Sequence, residues 1–466
     1  MPVENYMINR AYLDKLYKKF TEYTTIDPSA FDNTNIKRGL RNADGTGVMA
    51  GVTVIGNVHG YLINEGDRMP IDGELYYRGI NIKDMVEGYN GPKNRRFEEV
   101  AHLLLLGSLP NAEEFEIFGS MLTKLRDLPK GFTEDMIIKA PSSDIMNKMA
   151  RSVLAMYSYD PDPSNLSVEN VLRQCIELTA RLPIIAAHAF HVKRHFYDRK
   201  SLYIHLPKAK YGTAGNFLNA VRPDKKFTES EESILDLALV LHAEHGGGNN
   251  STFTTRVLTS AGTDTYSAIS AAIGSLRGYR HGGAIIKVHN MFETMKQDVH
   301  DVRDDDEVSD YLERILRKEV GDRSGLIYGM GHAIYTKSDP RAVLLKKAAR
   351  ELAVEKGMLD EFELLDRVER LAPAILNKKM GSHRVVCANV DMYSGFVYRM
   401  LNIPMELYTP LFAIARIAGW SAHRVEELLS GTKIIRPAYK NIAKTRTYTP
   451  MSERTAYESP SVTAKE

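Results

Sequence analysis

Strand-like patterning in this chain is confined to one stretch near the N-terminus, and beyond it the sequence reads as helix almost throughout. Residues 52–63 and 74–78 form short β-like runs. The segment MPIDGELYYRG carries a Pro and an Asp-Gly turn signal, which predicts a small hairpin there. By periodicity the expected fold class is therefore all-α with a minor N-terminal β-hairpin.

The helical pattern is explicit in several places. FEEVAHLLLLGSLP (97–110) is an apolar helix stopped by Gly107 and Pro110, and Asn111 then reads as an N-cap with Glu113 and Glu114 in the first turn. Residues 167–194 are apolar on most faces and nearly free of glycine, as expected of a core helix pair. Residues 196–230 read as an excursion between helices. Residues 233–241 form an apolar helix feeding into His242 and His245, and 264–276 a helix rich in small residues. Ala284, Val288, Met291, Phe292 and Met295 share one face of the next helix, after which comes a charge-rich passage, 298–322. Asp339 and Pro340 supply N-cap and N1 signals for a helix running to Lys356. Residues 410–418 read as a short helix capped by Thr409 and closed by Gly419. Residues 1–45 read as an amphipathic helical arm and polar loop, and the Ser-, Thr- and Pro-rich tail after about residue 444 as disordered.

At 466 residues the chain is long enough for two domains, or for one large domain with an insertion. A net charge of +2 excludes a strongly basic nucleic-acid binder. The two cysteines, Cys175 and Cys387, form no CxxC pair, which fits a reducing compartment. The N-terminus has neither a secretory apolar region nor the acid-poor composition of a transit peptide. No apolar run reaches 18 residues, so a cytoplasmic location is expected.

Chemistry concentrates in five segments. His245 and His281 lie at glycine-flanked breaks in HAEHGGGNNSTFTTRV and GSLRGYRHGGA. A histidine just before a helix N-terminus feels the positive end of the dipole, which favours the neutral ring; it can then donate a hydrogen bond to a carbonyl. A histidine satisfied by backbone in a turn fits His281 as well. His332, in Gly-Met-Gly-His, stands where glycines permit close backbone approach to a ligand, or in a plain tight turn. Asp391, in NVDMYSG, is either a helix N-cap or a carboxylate in apolar surroundings, its pKa raised toward that of a base. Arg416 is the only charge in TPLFAIARIAGW and must meet an anion, either a protein carboxylate or a substrate. Arg341 lies in a first helical turn, where the dipole disfavours cations; pairing with Asp339 or a bound carboxylate would explain it. A metal site would compete for His242, His245, His281 and His332, but His-x-x-His is not HExxH and no Cys or carboxylate cluster completes it.

Taken in order, these segments, with YRGINIKDMVEG and FEEVAHLLLLGSLP upstream and IIRP downstream, resemble the citrate synthase family from about residue 50 to 440. The resemblance implies the all-α citrate synthase fold, with a large domain (1–282, resumed at 403–443), a smaller inserted helical domain (283–402) and a polar tail (444–466). It implies condensation of acetyl-CoA with oxaloacetate, then hydrolysis of citryl-CoA. By position, Asp391 matches the base, His281 the neutral donor to the enol oxygen, and His332 the residue polarising the ketone. His245, Asn249, Arg341 and Arg416 match oxaloacetate ligands, and Arg436 the arginine that reaches into the neighbouring subunit's site. Tyr328, Gly329, Met330, Gly331 and Lys337 fall on the CoA-binding segment. The family works without a metal or any cofactor beyond acetyl-CoA as substrate, and as a homodimer or higher oligomer.

Ala333 and Thr336 depart from the basic residues common at those positions, with Lys337 one place on. Cys387–Ala388 replaces the more usual aromatic-Pro pair. Alternatives to be separated are a 2-methylcitrate synthase using propionyl-CoA, a silent CoA- or citrate-sensing paralogue, and a metal-dependent hydrolase.

Overall fold

The computed structural model describes residues 10–31, 36–42, 45–65, 67–380, 385–431, 433–443 and 445–454. Contacts divide the chain into two compact units, Met1–Val48 with Arg436–Glu466, and Met49–Ile435. In the first, the amphipathic arm is the helix Arg10–Thr24, whose apolar stripe includes Leu13, Leu16, Tyr17 and Phe20. Of the polar tail, residues 445–454 carry no regular structure apart from one turn at Met451–Glu453; residues 444 and 455–466 lie outside the described residues.

The second unit is helical apart from one three-stranded antiparallel sheet of order β1-β2-β3. The strands are β1 (Gly56–Asn64), β2 (Asp67–Tyr77) and β3 (Ile80–Asn81). The hairpin is where expected, but the Asp-Gly pair does not turn it. The chain reverses at Glu65, whose φ is +51°, while Asp72–Gly73 sits inside β2. There the ladder breaks: His59 pairs with Glu74 and Tyr61 with Pro70, so Gly60 alone faces Ile71, Asp72 and Gly73. Pro70 is tolerated in β2 because it flanks this bulge.

Two long helices organise the core. The expected pair at 167–194 is one continuous helix, Val168–Asp198, capped by Ser167 and running through Pro183. A proline inside a helix costs roughly 3 kcal/mol. Here it is offset by burial of nearly every residue from Leu178 to Val192. The second, Tyr408–Ser430, packs across it. The expected stop at Gly419 is wrong. Gly419 is interior to this helix, where a Cβ would stand 2.5 Å from the Ala243 carbonyl oxygen, so it marks a close crossing and not an end. Thr409 caps nothing; its hydroxyl donates to the Gly282 carbonyl at 2.9 Å.

Local signals elsewhere hold. Asn111 and Glu114 form a reciprocal capping box, and Asp339 caps Pro340–Glu355 with Pro340 at its start. The charge-rich passage contains an amphipathic helix, Asp305–Leu316, burying Val308, Tyr311, Leu312, Ile315 and Leu316. The excursion 196–230 contains the buried helix Thr213–Val221.

Candidate active site

The helix Glu229–His242 ends inside the protein, so its last carbonyls need donors. Tyr77 of β2 donates its hydroxyl to the Val240 carbonyl at 3.0 Å. Arg416, from the middle of Tyr408–Ser430, donates Nε to the His242 carbonyl at 2.6 Å. The guanidinium therefore sits at the negative end of that helix. It is fully buried, and its two terminal nitrogens have no hydrogen-bond partner among the described residues. Burial lowers its pKa to about 10, against the pull of the Glu244 carboxylate. A planar fork of N–H groups left open in the interior is suited to a carboxylate.

The next turn places His245, buried, with Nε2 likewise unpartnered. Its ring meets His332 edge-on at 5.1 Å and Tyr335 at 5.6 Å. Burial, then the charge of Arg341, holds His245 well below the usual histidine range. The turn is fixed from behind by Glu244, which accepts from the Gly246 amide and from His423 Nε2, the latter at 2.9 Å.

His332 lies in the loop that leads into the helix Pro340–Glu355, and Arg341 in the first turn of that helix. His332 Nδ1 accepts the backbone N–H groups of Ile334 and Tyr335, both at 3.1 Å. In the neutral ring the proton must then be on Nε2. Tyr335 stacks on His332 at 4.6 Å. Arg341 pairs with Asp339, through Nε to Oδ1 at 3.0 Å and a terminal nitrogen to Oδ2 at 2.7 Å. Burial opposes its charge, but Asp339 outweighs it and Arg341 is held above its ordinary value. Asp339 also accepts from the Val390 amide at 3.2 Å, tying this loop to the approach to Asp391.

Asp391 is not the N-cap of its helix. It is the first residue of Asp391–Met400, and its amide donates to Asn389 Oδ1 at 3.0 Å, which leaves the carboxylate uncommitted to capping. Burial raises it to about 6, moderated by Arg341 and Arg416. Gly329 and Gly331, both at φ +85°, pair with the incoming strand: Gly331 N to Cys387 O at 2.7 Å and Asn389 N to Gly329 O at 2.8 Å. A Cβ on Gly329 would press on Met392.

His281 closes the turn after Thr265–Arg277, three residues before Ala284–Asp298. Burial, then Arg416, lowers it to about 4. Its Nε2 lies 3.1 Å from Ser251 Oγ, which also accepts Trp420 Nε1 at 3.1 Å and stands 3.0 Å from the Asn249 amide. A hydroxyl has one proton to give. If it goes to Asn249 Oδ1, His281 must carry its proton on Nε2. If the amide is turned so that its NH2 faces Ser251, the hydroxyl donates to Nε2 and the imidazole proton sits on Nδ1.

The electrostatic contacts join these pieces. Arg416 acts on Asp391, His245 and His281, and Arg341 on Asp391 and His245. The Phe412 ring touches the same group, 4.7 Å from the Arg416 guanidinium and 6.5 Å from His281. Arg436 is exposed and belongs to the other compact unit, and Lys337 is exposed. The Tyr328 hydroxyl is engaged with Lys287 at 2.9 Å and Asp322 at 2.6 Å. His242 is fully buried behind the site, with Nδ1 on the Ala238 carbonyl at 2.7 Å. Sequence reasoning missed Ser251, Trp420, Tyr335, Glu244 and His423. Only Trp420, the single tryptophan, carried a mark that could have drawn attention.

A family model described as "Citrate synthase, C-terminal domain" matches residues 45–438. The chain belongs to the citrate synthase family. A citrate synthase from Synechocystis is 34% identical over 424 residues, covering 91% of this chain and 95% of its own. A 2-methylcitrate synthase from Corynebacterium glutamicum is 32% identical over 431 residues, covering 91% of this chain and 100% of its own. A citrate synthase of the archaeon Thermoplasma acidophilum was solved in ternary complex with carboxymethyl coenzyme A and oxaloacetate. It superposes with a TM-score of 0.71 at 26% identity, covering 90% of this chain and 100% of that one. The fold is thus the all-α fold of the solved citrate synthases. Among the described residues no group of three or more His, Cys, Asp and Glu is placed to hold a metal ion, and no helix is long and apolar enough to cross a membrane.

Proposed function

We propose that this chain condenses acetyl-CoA with oxaloacetate and water to give citrate and CoA, a step of the tricarboxylic acid cycle. The reading rests on one observation above all: the open guanidinium fork of Arg416, buried beside His245 and within the field of Arg341. A keto-diacid supplies the carboxylate that Arg416 lacks, with its second carboxylate in reach of the same positive field.

The chemistry divides among the remaining groups. A thioester α-proton is weakly acidic, so a base and a donor to the carbonyl oxygen must act together. The Asp391 carboxylate, raised to about 6, takes the proton from the acetyl methyl. His281, kept neutral at about 4, donates from Nδ1 to the thioester oxygen in the tautomer that Ser251 and the turned Asn249 amide permit. The enol carbon attacks the oxaloacetate ketone, whose oxygen is polarised by the Nε2–H of His332, and the proton taken up by Asp391 balances the one needed by the new hydroxyl. Water hydrolyses the thioester of the resulting citryl-CoA, releasing CoA.

Asn249, four residues after His245, completes the oxaloacetate set. The Tyr328–Gly331 segment and Lys337 meet CoA. No cofactor beyond acetyl-CoA and no metal takes part. Residues 283–402 act as the smaller domain, which closes on oxaloacetate and excludes water. The chain works as a homodimer or higher oligomer in the cytoplasm, Arg436 completing the neighbouring subunit's site. Likeness to a full-length 2-methylcitrate synthase supports a second reading, with propionyl-CoA as donor. One methylene changes discrimination by only about 1–3 kcal/mol. Oxaloacetate-dependent CoA release, measured with acetyl-CoA and propionyl-CoA, tests both; no release with either donor would overturn them.

A further inference from the structure

Thr336 contacts the sheet. The loop that carries His332 and leads into the helix of Arg341 plugs into the break in the hairpin ladder. Opposite Gly60 the strands cannot satisfy each other, since one residue of β1 faces three of β2. The Thr336 hydroxyl lies 2.5 Å from the Gly60 carbonyl oxygen and 3.4 Å from that of Ile71. The freed Gly73 amide donates to Ser338 Oγ at 3.1 Å, and Ser338 in turn reaches Asp72 Oδ1 at 3.2 Å. Residues 336 and 338 thus face the sheet, while Lys337 between them is exposed.

Both glycines are required by the closeness of the fit. A Cβ on Gly60 would stand 2.5 Å from the Ile334 carbonyl oxygen and 2.7 Å from Tyr335 Cα. A Cβ on Gly73 would overlap the Ser338 carbonyl oxygen. Tyr335, pressed between them, stacks on His332 at 4.6 Å and lies 5.6 Å from the Arg341 guanidinium. Bulges beside functional sites re-aim a chain; this one takes the loop as a substitute ladder partner.

We propose that the Gly60/Ile71–Gly73 bulge, with Thr336 and Ser338, is a clasp that positions His332 and Arg341 for the keto-diacid, and that Thr336 is a positioning residue with no part in holding CoA. The proposal rests on the reading of the site as an oxaloacetate site. The test uses T336V, T336S and S338A in the full chain.

In T336V the oxaloacetate KM and calorimetric Kd rise about five- to tenfold, the scale of one lost hydrogen bond. T336S stays within twofold of wild type, S338A falls between, and the KM for acyl-CoA moves less than twofold in all three. A hydroxyl-specific effect on one substrate alone is not what a general loss of stability produces. By hydrogen exchange of the free protein, peptides covering 69–77 and 332–341 exchange faster in T336V and S338A than in wild type and T336S. That readout stands whether or not wild type turns over oxaloacetate, so failure of the functional reading is seen separately. Unchanged exchange in T336V and S338A, equal impairment of T336S and T336V, or a loss falling mainly on the acyl-CoA KM would each overturn the clasp.

Discussion

Replacing Arg416 by methionine separates what the fold needs from what the site needs. Burial takes this guanidinium well below its ordinary value, to about 10. A base whose folded pKa is depressed carries the full penalty at every pH below the folded value. At pH 7 the charge therefore costs the fold roughly 3 kcal/mol. Methionine removes that cost but loses the charge-assisted bond to the His242 carbonyl, worth roughly 2 kcal/mol. The net is a gain of roughly 1 kcal/mol. With an unfolding entropy of about 2.1 cal/mol/K per residue, a chain of 466 residues gains roughly 1 °C in Tm. Binding moves the other way. Two charge-assisted hydrogen bonds to a substrate carboxylate, together roughly 3–4 kcal/mol, correspond to about a 10²–10³-fold loss in oxaloacetate affinity. Thermal melts with and without oxaloacetate read both effects. At about 100 Kd, ligand adds roughly 2.7 kcal/mol to the wild type and nothing measurable to R416M at the same concentration. An R416M protein that melts several degrees lower, or binds oxaloacetate within tenfold of wild type, refutes the reasoning.

Other outcomes rest on the same geometry. Because the carboxylate of Asp391 must be ionised to act and burial holds it near 6, kcat/KM falls as pH drops through about 6; a flat profile down to pH 5 would contradict this. Asn249→Asp offers Ser251 only acceptors, forces the proton of His281 onto Nε2, and lowers kcat about a hundredfold or more; a loss confined to KM would mean that the amide serves only binding. His188 and His191, buried and each held near 4 by burial, bind protons in the unfolded chain that the native one refuses. Stability is thus intact above about 6.5 and lost as pH falls from there toward 4, each contributing up to roughly 3 kcal/mol. H191F therefore flattens the decline of Tm between pH 6.5 and 4.5, and an unchanged slope counts against it.

The capping residues Asn111 and Asp339 were legible because each satisfies its helix within four residues of chain. The histidine turns were legible for the same reason: glycines mark them. What failed were signals whose meaning depends on a distant partner. Gly419 read as a stop and 167–194 as two helices, yet Gly419 and Pro183 both lie inside continuous buried helices, where tertiary packing overrides local preference. Asp72–Gly73 read as a turn because nothing nearby in sequence shows the loop at 334–340 that opens the strand there. Arg341 and Arg416 were equally odd on paper; only the fold shows that one has its carboxylate in Asp339 and the other has none. Ser251 was invisible, and Trp420 was marked only by being the single tryptophan, because they act on a ring 30 residues from one of them and 139 from the other.

The account's central claim is that the side chain of Asp391 takes the proton from the acyl donor while the other groups hold and polarise. The direct test is Asp391→Asn, assayed by CoA release with saturating oxaloacetate and acetyl-CoA. The account predicts kcat lower by about a hundredfold or more, the scale of one general base, with oxaloacetate affinity within a few-fold of wild type. A variant turning over at near the wild-type rate would contradict it.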